Sequence, residues 1–483
     1  MAMPSVKSES SGTHLSAAPE QAVSGRTDAA RAAILSQVTL LNNEMAGHLN
    51  FTLPPKRGTI ALLSKITCPH CWHSLTPESL LWVSRHAELT GDPVLGSDAA
   101  SRFLPSRFTV EGRAIDARDM TCEAMACPRC HLTIPGDLLM TDATFMSIIG
   151  VPASGKSYFL AAMTWELRRV LAGKFRILFS DADLTANVLL NQAEETLFLQ
   201  DDVNLPVKLE KTDTAGIALY DRIQLGEQII ILPKPLLFTL KPSTIASRGA
   251  PAAPSGRVLC LYDNAGEHFQ PGNDSVSSPV TQHMARSRVL MFLYDPLKDS
   301  RFRTLCRAQG STDPQLESSV RAYRQETILN EAANRVRKYS GLSTSKKHDR
   351  PLIVIVPKAD VWGPLIGLDL TEEPLTPPKA NSAVDASWAV DVMAIEAISA
   401  RVRALLREHA PEFVAAAEDF CQTVIYVPVS ALGCGPEKRD DAAGFYVRPR
   451  DIKPQWVTVP LLYVLAKWSN GLIPTTRHAA ANP

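Results

Sequence analysis

Gly150-Val-Pro-Ala-Ser-Gly155-Lys156-Ser157 is the stretch that decides how this chain reads. It matches the pattern GxxxxGK[ST] in full. The apolar run from Phe145 to Ile149 ahead of it reads as a buried strand. Behind it, Tyr158 to Leu171 reads as a helix with Leu160, Met163, Leu167 and Leu171 on one face. A glycine-rich turn between strand and helix lets successive N–H groups face a phosphate chain, and the helix N-terminus adds partial positive charge. Gly150, Ser154 and Gly155 would then line the loop. Lys156 would reach the β- and γ-phosphates, and the Ser157 hydroxyl would bind Mg2+, which prefers oxygen ligands.

Further apolar runs follow at 235–240, 258–262, 289–294, 352–356 and 423–429, with helical stretches at 318–340, 388–409 and about 459–469. Strands alternating with helices predict a parallel sheet covered on both faces, the α/β class. The run 235–241 is expected to pair antiparallel with 258–262 across a Pro/Ala/Ser loop at 243–256. A long insertion is expected at 362–387 and a solvated charged loop at 435–441. No internal repeat of useful period is visible.

Three of these strands end in polar motifs. Val258 to Tyr262 runs into Asp263-Asn264-Ala265-Gly266, a DxxG. An aspartate at a strand end can hold the Mg2+ shell, and a glycine three residues on can offer its N–H to a γ-phosphate. The run 352–356 leads into Pro357-Lys358-Ala359-Asp360. A carboxylate there can accept both N1–H and the 2-amino group of guanine, which adenine lacks, while the lysine stem packs on the purine face. The run 423–429 ends in Ser430-Ala431-Leu432, whose backbone N–H groups could meet the guanine O6.

Nine cysteines are present, four of them in Cys68-Pro-His-Cys71 and Cys127-Pro-Arg-Cys130. Two such knuckles place four thiolates around one Zn2+, a closed shell that signals a structural metal. His70, His73, His131 and Cys122 lie close enough to substitute as ligands and are read as bystanders. The remaining cysteines, Cys260, Cys306, Cys421 and Cys434, are read as ordinary core or surface thiols.

Taken in order, Gly150–Ser157, Asp263–Gly266, Lys358–Asp360 and Ser430–Leu432 resemble the motif set of the translation-factor-like and Ras-like GTPases, over about 144–470. With the zinc-ribbon-like segment in front, the chain resembles the bacterial double-GTPase group, whose members are thought to act in antiviral conflict systems beside partner GTPases. The resemblance implies a P-loop G domain preceded by a small zinc-ribbon-like module. It also implies GTP and Mg2+ as ligands, slow hydrolysis, and a protein partner, another GTPase among the options. It assigns a Mg2+-binding threonine to the long interval before Asp263, where Thr212 and Thr214 are the candidates and Thr212 is preferred. Asp213–Gly216 also spells DTAG, but no apolar strand precedes it, so it is read as a decoy. The usual water-orienting glutamine is replaced by Glu267, with His268 beside it, and either could position water. Pro357 stands where the family has Asn or Thr, which removes one buttress of the base-reading loop.

Composition sets the outer bounds. The 483 residues are 45% hydrophobic, and 50 Lys plus Arg balance 50 Asp plus Glu, so no chain-wide grip on nucleic acid or an anionic membrane is expected. Arg85, Arg102, Arg107, Arg113 and Arg118 are interspersed with acids, which favours protein contact over nucleic acid for the zinc module. No apolar run reaches the roughly 18 residues of a membrane helix, and a cytoplasmic location is expected. The division expected is a leader and short helix at 1–49, the zinc module at 50–140, the GTPase-like domain at 141–472 and a loose tail at 473–483. Two other readings stay open, an ATP-driven P-loop enzyme and a scaffold that binds nucleotide without turnover.

Overall fold

The computed structural model describes residues 62–210, 219–243, 256–264, 282–317, 324–343, 346–379, 387–439, 442–469 and 471–476. The expectations for the leader and short helix at 1–49, Thr212, Thr214, the Asp213–Gly216 decoy, Gly266, Glu267, His268 and the end of the tail lie outside them.

Seven strands make the main sheet: β1 Ala143–Gly150, β2 Ile177–Asp181, β3 Pro235–Pro242, β4 Arg257–Asp263, β5 Val289–Leu293, β6 Leu352–Val356 and β7 Val424–Pro428. Their order is β2-β3-β4-β1-β5-β6-β7. The five strands from β4 to β7 run parallel, and β3 pairs antiparallel with both β2 and β4. β5 and β6 are buried along their whole length, as near-continuous Val, Ile and Leu in a parallel sheet requires. β2 was not expected from the sequence. It is an edge strand that ends in polar Ser180 and Asp181, so it lacks the apolar run that marked the others.

Register aligns the strand ends. Gly150 pairs with Leu293, Leu293 with Ile355, Val356 with Pro428, and Asp263 with Ile148. The loops after β1, β4, β5, β6 and β7 therefore share one edge of the sheet. β1 lies between β4 and β5, where strand order changes direction, and such a point leaves a crevice at the carboxyl ends.

The longer helices among the described residues are α1 Lys156–Val170, α2 Val188–Phe198, α3 Ser300–Ala308, α4 Gln325–Ser340, α5 Val392–His409, α6 Pro411–Phe420 and α7 Val459–Trp468. The four residues expected on one face of the first helix are all buried, with Leu171 falling in a π-turn just past α1. α5 starts later than expected because Ala389–Val390 forms a short strand and Asp391 caps the helix, accepting from the Ala394 N–H at 3.0 Å. The charged run at 435–441 is no plain loop: Glu437–Arg439 pairs with Ala442–Tyr446 as a hairpin.

Strand alternation gives β4 two neighbours. Leu259 and Leu261 join the large core with Phe159 and Leu160 of α1 and Leu190 and Leu197 of α2. Val258, Cys260 and Tyr262 join a second core built by the cysteine-bearing segment and by the hairpin Tyr220–Leu225 with Gln228–Pro233. One side of this half of the sheet is thus covered by the cysteine segment.

Candidate functional site

The turn after β1 curls because two residues adopt left-handed backbone. Gly155 has φ 92° and does so without steric cost, whereas Ala153 has φ 56°, a conformation that strains an L-residue by about 1–2 kcal/mol. Gly150 is held tight: a Cβ there would sit 3.2 Å from both Leu293 Cβ and Ser154 Oγ. Ser154 is buried, and its Oγ has no hydrogen-bond partner among the described residues. Lys156 opens α1 and donates from Nζ to Asp263 Oδ1 and to the main-chain carbonyl of Asn264. Sequence positions 107 apart thus meet through a largely buried ion pair. Ser157 follows, half-buried in the first turn of the helix.

At the other end of the edge, Lys358 adopts φ 60° and its Nζ donates to Asp295 Oδ2 at 2.6 Å. Asp295 is fully buried after β5 and is locked by Gln325, which both donates to and accepts from its main chain. Asp360 accepts from Ser430 Oγ at 2.5 Å, and the Gly433 N–H in turn donates to that hydroxyl at 2.9 Å. Burial holds the Asp360 carboxyl above the usual carboxylate range, against the Ser430 hydrogen bond. Asp360 lines an open cleft of 480 Å³ together with Asp313, Val361, Leu365 and Gly435. Burial raises Asp313 too, and its Oδ2 has no hydrogen-bond partner among the described residues.

One expected role changes here. The Ser430 N–H donates to the Gln455 carbonyl at 2.9 Å, so what Ser430 offers the cleft is its hydroxyl, which orients Asp360. The loop at Pro357 is braced in another way. Trp362 Nε1 donates to the Pro357 carbonyl at 2.8 Å, and the Ala359 N–H donates to the Val429 carbonyl at 3.0 Å.

The four cysteines of the two knuckles converge, with all sulfurs within 4.8 Å of one another. Cys68 Sγ lies 3.8 Å from Cys130 Sγ, and Cys71 Sγ lies 3.7 Å from Cys127 Sγ. A tetrahedron with metal–sulfur bonds of about 2.3 Å has edges of about 3.8 Å, so the cage fits Zn2+. The hydrogen bond that Cys127 and Cys130 share pulls the first down and pushes the second up in pKa, and burial pushes Cys68 up. A bound dication would replace those shared protons. His70 turns its Nε2 to the Thr133 carbonyl, His131 pairs with Asp92, and Cys122 is buried elsewhere, so none joins the four.

The knuckles are also copies of one another. In each, the first cysteine's carbonyl accepts from the residue four on (Trp72, 3.1 Å; His131, 2.9 Å), and that residue is left-handed. The first sulfur accepts an N–H from the residue two on, at 3.4 Å in both. Each knuckle sits in a two-stranded turn followed by a 3-10 helix, Pro77–Ser79 in one case and Gly136–Leu139 in the other. The segment therefore contains a repeat that the sequence hid. Its signal is ITCPHCWHSL (66–75) against MACPRCHLTI (125–134), alike in pattern but in few residues.

Lys156, Ser157, Asp263, Lys358, Asp360, Ser430 and Ala431 thus all lie at one edge of the sheet, Asp263 at the end of β4 and the others on loops or helix starts. Asp295, Asp313, Asn264 and His283 were missed. The only sequence signal for Asp295 was an acid directly after an apolar run, and His283 had none.

These features define a mixed α/β protein with a seven-stranded, mostly parallel sheet flanked by helices, and a four-cysteine cluster suited to a metal such as zinc. No family model matches the chain. It is similar to a Mycolicibacterium smegmatis protein described as "Putative ESX-1 scaffolding and assembly protein SaeC", at 23% identity over 251 residues. The match covers 48% of this chain and 57% of that protein, little more than half its length. No helix among the described residues is long and apolar enough to cross a membrane.

Proposed function

We propose that the chain is a GTP-binding switch, dependent on Mg2+, that hydrolyses GTP slowly and passes its state to a protein partner. The observation that carries this reading is the shared edge: a left-handed glycine turn with Lys156 at one end, and Asp360, oriented by Ser430, in a cleft at the other. Phosphates would take the Lys156 ammonium and the α1 N-terminus, and Mg2+, held by Ser157 and Asp263, would neutralise phosphate charge. The purine would enter the cleft, where Asp360 accepts from N1–H and the 2-amino group and the Ala431 amide meets O6. Trp362 and Ala359 supply the bracing that Pro357 removes. Thr212, Gly266 and Glu267 or His268 belong to the segments that would respond to the γ-phosphate.

A second reading is favoured by the similarity to a protein named for scaffolding and assembly: nucleotide would then hold a conformation without turnover. Phosphate release from GTP by the full chain separates the two. A switch loses release in Lys156→Ala and in the Glu267→Ala/His268→Ala double variant. A scaffold binds GTP, releases no phosphate and loses partner binding only with Lys156→Ala. Absence of GTP binding by the unmodified chain overturns both. The conflict-system role implied by the double-GTPase resemblance is tested by whether a second GTPase-like gene neighbours this one.

A further inference from the structure

Consecutive residues of β4 serve two sites. Asp263 meets Lys156, while Tyr262 points to the opposite face and ends against the first cysteine knuckle. The Tyr262 hydroxyl donates to the Pro69 carbonyl, between the two cysteines of that knuckle, and accepts from Trp72 Nε1 at 3.0 Å. The Tyr262 ring stacks on His283 with centroids 4.4 Å apart and planes 18° apart. His283 contacts the Asn264 amide through Nε2 at 2.8 Å and Ser147 Oγ on β1 through Nδ1 at 2.6 Å. Asn264 returns to the start, since its carbonyl accepts from Lys156. Tyr262, His283, Asn264 and Ser147 are all fully buried, and Trp72 nearly so.

We propose that the cysteine cluster is a brace for the nucleotide site. The first knuckle fixes Tyr262 and, through His283, the position at which β4 delivers Asp263 and Asn264 beside Lys156. Loss of metal at the cluster then weakens nucleotide binding at a site with which it shares no ligand. Pro69 directly follows Cys68 and Trp72 directly follows Cys71, so their positions depend on the closed cage. Tyr262 and His283 are positioning residues: neither touches phosphate or base. The chain of contacts is rigid because every polar group in it is buried and partnered, and an unpartnered group there is strongly penalised.

This inference rests on the nucleotide-binding reading, and the experiment keeps the two apart. The full chain is titrated with a fluorescent GTP analogue in three forms: metal-loaded, treated with a zinc chelator, and metal-loaded Tyr262→Phe, which keeps the ring and removes both hydroxyl bonds. Metal content and thermal unfolding are measured for each. The brace predicts that Tyr262→Phe keeps its metal and weakens affinity by about tenfold, and that chelation weakens it at least as much. A merely structural hydroxyl would lower the unfolding temperature and leave the affinity unchanged, which overturns the proposal. If chelation unfolds the chain, the Tyr262→Phe comparison alone decides. If the unmodified, metal-loaded chain does not bind the analogue, the nucleotide reading falls and the brace with it. If it binds and Tyr262→Phe binds equally well, only the brace falls.

Discussion

The cysteine cluster and the glycine-rich turn lie on either side of one strand end, and they are built in opposite ways. The cluster is closed: four cysteine sulfurs face one another, all within 4.8 Å. The turn is open to one edge, with a lysine paired to an acid and a buried serine hydroxyl that has no partner among the described residues. A closed shell suits an ion that stays and holds shape. An open edge with polar groups aimed at it suits a ligand that comes and goes. The molecule couples the two by letting adjacent residues of β4 belong to different sites.

The sharpest way to break this comparison is to open the cage. Cys68→Ser/Cys71→Ser removes half the sulfurs, and structural zinc contributes on the order of 10 kcal/mol of folding free energy, comparable to the roughly 5–15 kcal/mol stability of a whole domain. The expected result is loss of bound metal and unfolding of the module, seen as a large drop in melting temperature. At the turn the same scale of change should touch the ligand and spare the fold. Lys156→Ala is expected to lower GTP affinity by about a hundredfold or more, read by equilibrium binding, because a charge-assisted contact to phosphate is lost. Its melting temperature should move by only a few degrees.

A smaller effect tests the base end. Asp360→Asn replaces two acceptors by one acceptor and a donor, so it should weaken GTP and favour a purine nucleotide carrying a carbonyl at C2, compared by competition. The smallest effect is with pH. Burial raises Asp360 in the folded chain, so its proton favours the folded state and its stability contribution grows as pH falls toward the unfolded value of about 4. Guanine contact needs the carboxylate, so affinity runs the other way. It should be full at neutral pH and decline as pH falls through the raised value, earlier than an ordinary aspartate would give. A pH series of GTP affinity for the parent chain, with Lys358 and Ser430 left intact, checks this.

The left-handed turn after β1 and the paired cysteine knuckles were legible because their signals are local. A glycine pattern needs eight consecutive residues, and a knuckle needs four. The strands β4, β5, β6 and β7 were legible because a buried parallel strand must be apolar throughout. What stayed hidden was relational. β2 is an edge strand with polar residues at its end, and its pairing with β3 depends on a contact 60 or so residues away. The repeat of the knuckles is a repeat of backbone geometry, which few shared residues announce. Tyr262 read as one more apolar position of β4, and its contacts with Trp72 and Pro69, 190 and 193 residues distant, show that its hydroxyl matters. The Ser430 backbone role was misjudged for the same reason, since its N–H is used by Gln455 from a loop the motif does not include.

The central claim is that the shared sheet edge holds a guanine nucleotide. Calorimetric titration of the metal-loaded 483-residue chain with GTP and with ATP, each with Mg2+, is the most direct test. Saturable binding of GTP at one site per chain, at least tenfold tighter than ATP and lost in Lys156→Ala, is the expected result. Binding of ATP at least as tightly as GTP, or binding of neither, would contradict it.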